Sequence, residues 1–384
     1  YVHPFLFMET KHTDNLYYTN TDEDSDVISS ITPGLWLAVP ANREQLMRMR
    51  TSPTSSGGLQ VSRIKPASVR RMQTYFMYAP SAVYYRDQSE NDHIAHRAEA
   101  MFQYNFDMGL SVDLIDQFNN REEVNNNAEE RLDEYYDNVA NLLLTFEPSE
   151  KFRFRVDYSN YWLDYDDRAN RFRNRMDNAV SAYAFYQMLP KTSAFVQYGY
   201  TDIEYDENST LDSQEHSYYL GLDWDVTADT RGRVKAGYMK KEFDNSQFDD
   251  EDGFSAELQM MHSFNPKRNA SLTAYRRYTE PSVATAYSVM TTGVDFSLMQ
   301  RFTPKWSATL TAMYYQDDYQ GEETIGGRTA EREDDTYRVG PSLVFEPRDW
   351  MKVDLGYYFS KRDSNFDVYE FENNTVYLSL EFAL

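Results

Sequence analysis

Charged and aromatic residues that recur at every second position are the feature of this sequence best placed to do chemistry. Arg153, Arg155 and Asp157 alternate with Phe152, Phe154, Val156 and Tyr158. Asp223 and Asp225 alternate with Leu222 and Trp224. In an extended strand, positions two apart share a face, so the ionic groups lie on one side and the hydrocarbon on the other. The same parity along the chain collects the acids Asp113, Asp157, Asp223, Asp225, Glu257, Asp295 and Asp354 on one polar face. With them fall the bases Arg153, Arg155, Arg233, Lys235, Arg301, Arg338 and Lys352, and the rings of Tyr183, Tyr219, Tyr275, Tyr315 and Tyr358. Opposite charges along one wall set up a transverse field. Tyrosine adds a ring face for a sugar and a hydroxyl that donates and accepts. Two readings of this face stay open: a sugar-conducting lining, or the satisfied polar interior of any wide barrel, braced by Arg–Asp pairs.

Residues for catalysis do not assemble. Of six histidines, His93 and His96 are three apart, so a strand sends them to opposite faces and they cannot share a metal. No Gly-x-Ser-x-Gly elbow and no glycine-rich phosphate loop occurs. Phe248-Asp249-Asp250-Glu251-Asp252-Gly253 has the look of a calcium loop but puts Phe248 at the first ligand place. The chain has no cysteine, which excludes thiol catalysis and Cys-ligated metal. Its 38 Lys and Arg against 62 Asp and Glu give a net charge of −24, which repels a phosphate backbone. No enzyme activity, catalytic residue, metal, cofactor or nucleic-acid partner is therefore expected.

The elements that position the polar face follow from the same period. A mean hydropathy of −0.73 suggests a soluble or disordered acidic chain, yet aromatics make up 16% of it, against disorder. Alternation resolves the conflict: about 18 segments of roughly 10–15 residues read as strands long enough to cross a bilayer at a tilt. Short connectors such as Leu189-Pro190-Lys191, Asn265-Pro266-Lys267 and Thr303-Pro304 alternate with longer acidic ones, including 119–134, 244–252 and 320–334. Short turns on one side and long loops on the other mark an outer-membrane barrel. The predicted fold is all-β, one domain over 1–384: a transmembrane antiparallel up-and-down β-barrel of about 18 strands. An even strand number puts both termini on the periplasmic side and the long acidic loops outside. Lipid and lipopolysaccharide are the expected surroundings. No secretory leader is visible, so Tyr1 is expected to follow processing or truncation.

Residues 40–72 break the pattern. They join two predicted strands on the periplasmic side and carry Arg43, Arg48, Arg50, Arg63, Lys65, Arg70 and Arg71 around Ser55-Ser56-Gly57-Gly58. A basic plug or gate in an acidic lumen, a dock for periplasmic machinery and a plain loop all fit such a segment.

The last stretch carries Tyr358, Lys361-Arg362-Asp363-Ser364-Asn365, Tyr369 and Asn373-Asn374-Thr375-Val376. Asp14-Asn15, Ser25-Asp26, Ile31-Thr32-Pro33-Gly34, Lys191-Thr192-Ser193 and Lys235-Ala236-Gly237-Tyr238 precede it in order. Together they resemble the β-barrel porins found with bacterial exopolysaccharide synthesis and export genes. The resemblance implies an outer-membrane channel that passes, or helps pass, a polysaccharide to the cell surface. Passage would be passive, driven by periplasmic or inner-membrane export machinery. The rival expectations are a general diffusion porin for small hydrophilic solutes, and a plugged barrel serving as a surface scaffold or receptor.

Overall fold

The computed structural model describes residues 2–40, 49–64, 70–124, 131–224 and 229–383. Eighteen strands follow one another: β1 (Val2–Thr13), β2 (Asp26–Val39), β3 (Met72–Tyr85), β4 (His93–Asn105), β5 (Leu110–Val124) and β6 (Leu132–Ser149). Next come β7 (Phe152–Tyr165), β8 (Arg175–Leu189), β9 (Thr192–Tyr205), β10 (Ser213–Trp224), β11 (Thr230–Phe243) and β12 (Glu251–Asn265). The last six are β13 (Arg268–Thr279), β14 (Ser288–Arg301), β15 (Trp306–Ile325), β16 (Arg328–Arg348), β17 (Met351–Ser364) and β18 (Phe371–Ala383). Each pairs antiparallel with its successor, and β18 returns to β1 with Leu380 opposite Met8 and Thr375 opposite Thr13. The sheet is closed and has no free edge, the condition under which strands survive in lipid.

The alternation read from the sequence is the alternation of the wall. Val196, Leu220, Leu222 and Leu378 are exposed on the outside, while Gln197, Glu215, Lys235 and Asn373 are buried on the inside. Outward tyrosines mark the upper border of the apolar belt. Tyr158, Tyr238, Tyr314 and Tyr357 each donate to a polar group one strand on: Asn178, Asp252, Asp335 and Asn374, at 2.6–2.8 Å. Tyr78 and Tyr198 make the same diagonal bond to His96 and His216, both at 2.9 Å. Ring in hydrocarbon and hydroxyl in water is the disposition tyrosine takes at a membrane interface. His93 turns inward to Glu122 at 3.0 Å, so it and His96 do lie on opposite faces.

Two predicted loops are shorter than expected. The strands flanking 119–134 extend to Val124 and resume at Leu132, with Arg121 and Glu122 laddered to Tyr135 and Glu134. The 320–334 connector is a hairpin in which β15 and β16 rise together to a Gly326–Gly327 turn. Both glycines have positive φ, +60° and +85°, as a tight hairpin turn requires. Charged residues there hid an extension whose inner face buries Tyr319, Glu323, Arg332 and Asp334 against one another and Tyr369.

Candidate functional site: a hairpin inside the barrel

Residues 49–64 run inside the barrel, against the inward side chains of β5 to β14. Thr51 bridges Leu59 antiparallel, which folds the segment into a small hairpin. At its tip Gly57 and Gly58 adopt φ of +67° and +75°. A Cβ on Gly58 would lie 2.2 Å from the Tyr161 ring, and one on Gly57 would lie 2.9 Å from the Ala179 Cβ. The glycines are needed both for the left-handed turn and for close approach to the wall. Small residues on the wall make the room: Ser159, Ala179, Ser181 and Ser217 flank a cavity of about 150 Å³ beneath the hairpin.

The tip is anchored by groups from four strands and a loop. The Gly57 amide donates to Asp177 at 2.9 Å, and the Ser56 hydroxyl donates to Glu215 at 2.8 Å and Glu280 at 3.3 Å. Arg175 donates to the Pro53 carbonyl at 2.7 Å, Ser159 to the Gly57 carbonyl at 3.0 Å, and Arg277 to Ser55 Oγ at 2.7 Å. Lys241, fully buried, pairs with Glu280 and lies 3.5 Å from Glu215. Burial alone would push the Glu280 carboxyl up, but Lys241, Arg175 and the Tyr205 hydroxyl outweigh it and hold it below its ordinary value.

The lower half is held in the same way. Ser62 donates its amide and hydroxyl to Glu257, each at 3.1 Å, and Lys235 reaches Ser62 Oγ at 2.7 Å. Gln60 donates to Tyr275 at 3.1 Å. Arg155 and Arg233 both donate to the Arg63 carbonyl, at 2.8 and 3.2 Å. Arg63 itself is buried against Asn141, and burial, reinforced by Arg155, lowers its guanidinium to about 10.

The structure therefore brings together most of the predicted face. Arg153 and Arg233 share Asp223 at 3.0 and 2.9 Å, and Arg155 pairs with Asp157. Arg155 also lies over Tyr183, 5.0 Å from its centroid, and Lys235 over Tyr219 at 4.4 Å. Tyr315 donates to Asp295 at 2.8 Å, and Asp113 accepts from Gln103. Arg338, Tyr358, Lys352 and Asp354 stand apart on β16 and β17, where Arg338 donates to Ser360 at 2.9 Å and lies over Tyr358. Arg301 ends β14 near the short-turn rim, 4.0 Å from Glu346. Asp225 lies outside the described residues.

Of the seven cations named for 40–72, Arg50 and Arg63 lie on the hairpin; Arg70 and Arg71 stay at the rim, where Arg71 bonds Tyr104 at 3.0 Å. Arg43, Arg48 and Lys65 lie outside the described residues. Among the described residues, what docks is mainly Ser, Gly and backbone carbonyl, and the wall meets it with both acids (Asp177, Glu215, Glu257, Glu280) and bases (Arg155, Arg175, Arg233, Lys235, Arg277). Sequence reading missed Arg175, Asp177, Glu215, Lys241, Arg277 and Glu280. Arg175 and Asp177 repeat the Arg155–Asp157 spacing and were open to the same rule; Glu280 sits in a connector, where alternation says nothing.

Space remains beside the hairpin. A cavity of about 440 Å³ near the long-loop rim is lined by Lys11, Tyr18, Tyr85, Tyr358, Arg362 and Tyr369. Another, of about 710 Å³, lies between the hairpin and the β1–β5 wall.

A closed barrel with an apolar, tyrosine-bordered exterior and a polar interior defines a porin-like protein of the outer membrane. Residues 150–384 match the family model described as "Putative beta-barrel porin 2", and the chain belongs to that family. Among solved structures, OpdK of Pseudomonas aeruginosa, determined with vanillate, covers 100% of this chain and 99% of its own at a TM-score of 0.50 and 6% identity. OpdL of the same organism gives 0.48 at 12% identity, with 100% and 98% covered. OprD gives 0.47 at 7%, with 100% and 95% covered. At these identities the likeness is one of fold. A comparison with curated proteins found no match. None of these comparisons carries the link to exopolysaccharide.

Proposed function

We propose that the chain is a passive channel for small hydrophilic solutes, with the 49–64 hairpin as its constriction. The observation that carries this is the hairpin's dock: a polar element fixed to one side of a polar lumen, leaving cavities of about 440 and 710 Å³. Spaces of that size suit single small molecules, in the range of roughly 300–1,000 Å³ typical of ligand sites. A polysaccharide in transit needs an open bore over the whole barrel length, and the hairpin stands in it. The diffusion reading is therefore favoured over polymer export. In this reading the long-loop rim faces outward, and the short turns and both termini face the periplasm. Arg–carboxylate pairs hold the hairpin and leave the far wall, with Lys352, Asp354, Arg338 and Tyr358, as lining.

Liposome swelling with sugars of rising length tests the proposal. Swelling is expected with mono- and disaccharides and is expected to stop sharply beyond them. Removing residues 50–63 is expected to raise single-channel conductance and move the cutoff to longer sugars. Equal passage of long oligosaccharides by the intact chain would overturn the reading. Conductance near zero before and after removal would favour a scaffold.

A further inference from the structure

Two neighbouring short turns concentrate positive charge on an acidic protein. The β12–β13 turn brings Lys267 and Arg268, and the β14–β15 turn brings Arg301 and Lys305, with no acid in either. The turns adjoin, since the Arg301 amide donates to the Lys267 carbonyl at 2.7 Å. Arg268 donates to Gln300 at 2.6 Å, a neutral partner that leaves its charge uncompensated. Among the described residues, Lys267, Arg268 and Lys305 form no ion pair; Arg301 alone has an acid in reach, Glu346 at 4.0 Å. All four bases are exposed. The turns on either side carry acids, Asp229 and Asp349, and Arg71 elsewhere on this rim is already paired with Asp107 at 3.6 Å. The uncompensated charge is therefore local to these two turns.

Their surroundings are those of a membrane interface. Phe264, Phe302 and Trp306 stand exposed beside the bases, and Trp306 stacks on Phe345 with 4.4 Å between ring centres. Such rings sit at the height of lipid headgroups. From there toward the middle of the wall the outward residues are hydrocarbon: Ala270 faces Leu298, which faces Leu310, and Ala308 lies opposite Gln300. Near the other ends of β12 and β16 the outward tyrosines bond acids instead, Asp252 and Asp335. An anionic headgroup is thus drawn to the short-turn rim and repelled from the opposite one, within a chain of net charge −24. Cations bordered by rings and then by hydrocarbon match a phosphate with acyl chains attached. A soluble acidic protein would find the charge but would have to strip lipid from the rings beside it.

We propose that Lys267, Arg268 and Lys305 form a docking site for the headgroup of an anionic phospholipid, whose chains lie along the outer wall of β13 to β15. The inference does not depend on what passes through the lumen.

The test reconstitutes the full chain in vesicles of phosphatidylglycerol and phosphatidylcholine, with bromine on the acyl chains of one lipid at a time. Quenching of Trp306 is read as the difference between wild type and W306F, and each variant is read in the same way. Phosphatidylglycerol is expected to be enriched about tenfold over phosphatidylcholine beside Trp306, and K267Q/R268Q/K305Q to bring the ratio to about one. K267Q/K305Q leaves the Arg268–Gln300 bond in place and is expected to lose most of the enrichment, which covers a folding defect in the triple variant. Equal quenching by the two lipids in wild type overturns the proposal and leaves the cluster to a soluble acidic partner. Enrichment that survives in the folded variants overturns the assignment to these three residues.

Discussion

Gly58 shows how one residue sets the state of the lumen. Its φ is +75°, and a Cβ at this position would lie only 2.2 Å from the Tyr161 ring, so there is no room for a side chain. G58V meets both the left-handed penalty, about 1–2 kcal/mol, and the clash. The tip is expected to leave the wall, seen as a longer distance between spin labels on the tip and on β8, with higher conductance. An unchanged distance would show that the tip is not held by close packing. Glu280 anchors the same tip by charge. Lys241 and Arg175 hold its carboxyl below 4.5, so its contribution is complete above that ordinary value and fades as pH falls through the lower native one. Glu280's own share of the docking is therefore expected to persist from pH 7 to 5 and to be lost only under stronger acid. E280Q is expected to be looser already at pH 7, because Lys241 is left buried beside a weaker partner. An identical acid response in wild type and E280Q would remove Glu280 from the anchor.

At the scale of the strand, what was legible and what was not divide along one physical line. Alternation is local, so Phe152–Tyr158 announced a two-faced strand from its own residues, and the strand number, closure and inward parity of the candidate face followed. The dock is not local. Ser56 meets Glu280 across 224 positions and Gly57 meets Asp177 across 120, and no periodicity within 49–64 encodes either partner. Among the described residues of 40–72, serines, glycines and backbone carbonyls make most of the bonds to the wall. The tyrosine border is intermediate: the rings were readable as interface residues, but the diagonal bond to the next strand depends on register. Because those bonds lie outside the barrel, Y158F/Y238F/Y314F separates wall from lumen. Each lost bond is expected to cost about 0.5–1.5 kcal/mol and lower thermal stability in detergent, while conductance stays unchanged. A changed conductance would mean that the outer border and the hairpin are coupled through the wall.

At the scale of the whole molecule, two of the fragments that carry the family resemblance, Asp14-Asn15 and Asn373-Asn374-Thr375-Val376, meet at the seam of the barrel. Asn373 is fully buried and donates to Thr13 Oγ1 and the Asn15 carbonyl, both at 2.5 Å. Asp14 accepts from the Asn374 backbone at 2.6 Å and from its side chain at 2.7 Å, and Asn15 donates to the Glu372 carbonyl at 3.0 Å. Residues about 360 positions apart thus staple β18 to β1 where the sheet closes. The family match begins at residue 150, so β1 to β6 and the hairpin lie outside it, yet β7 to β18 alone would leave two open edges that lipid does not tolerate. Closure is then cooperative, and seam residues are expected to matter more than equal bonds elsewhere on the wall. D14A/N373A leaves Asn15, Thr13 and Asn374 groups without partners at about 1–3 kcal/mol each where they are buried. Unheated wild type is expected to keep the fast gel mobility of a folded barrel, and D14A/N373A to convert to the unfolded mobility at a distinctly lower temperature. N178A, which removes two bonds far from the seam, those from Tyr158 and Asn160, is expected to shift that temperature little. Equal shifts for the two variants would mean that the seam is an ordinary strand pair, and that closure is held by the sheet as a whole rather than by the side chains where β18 meets β1.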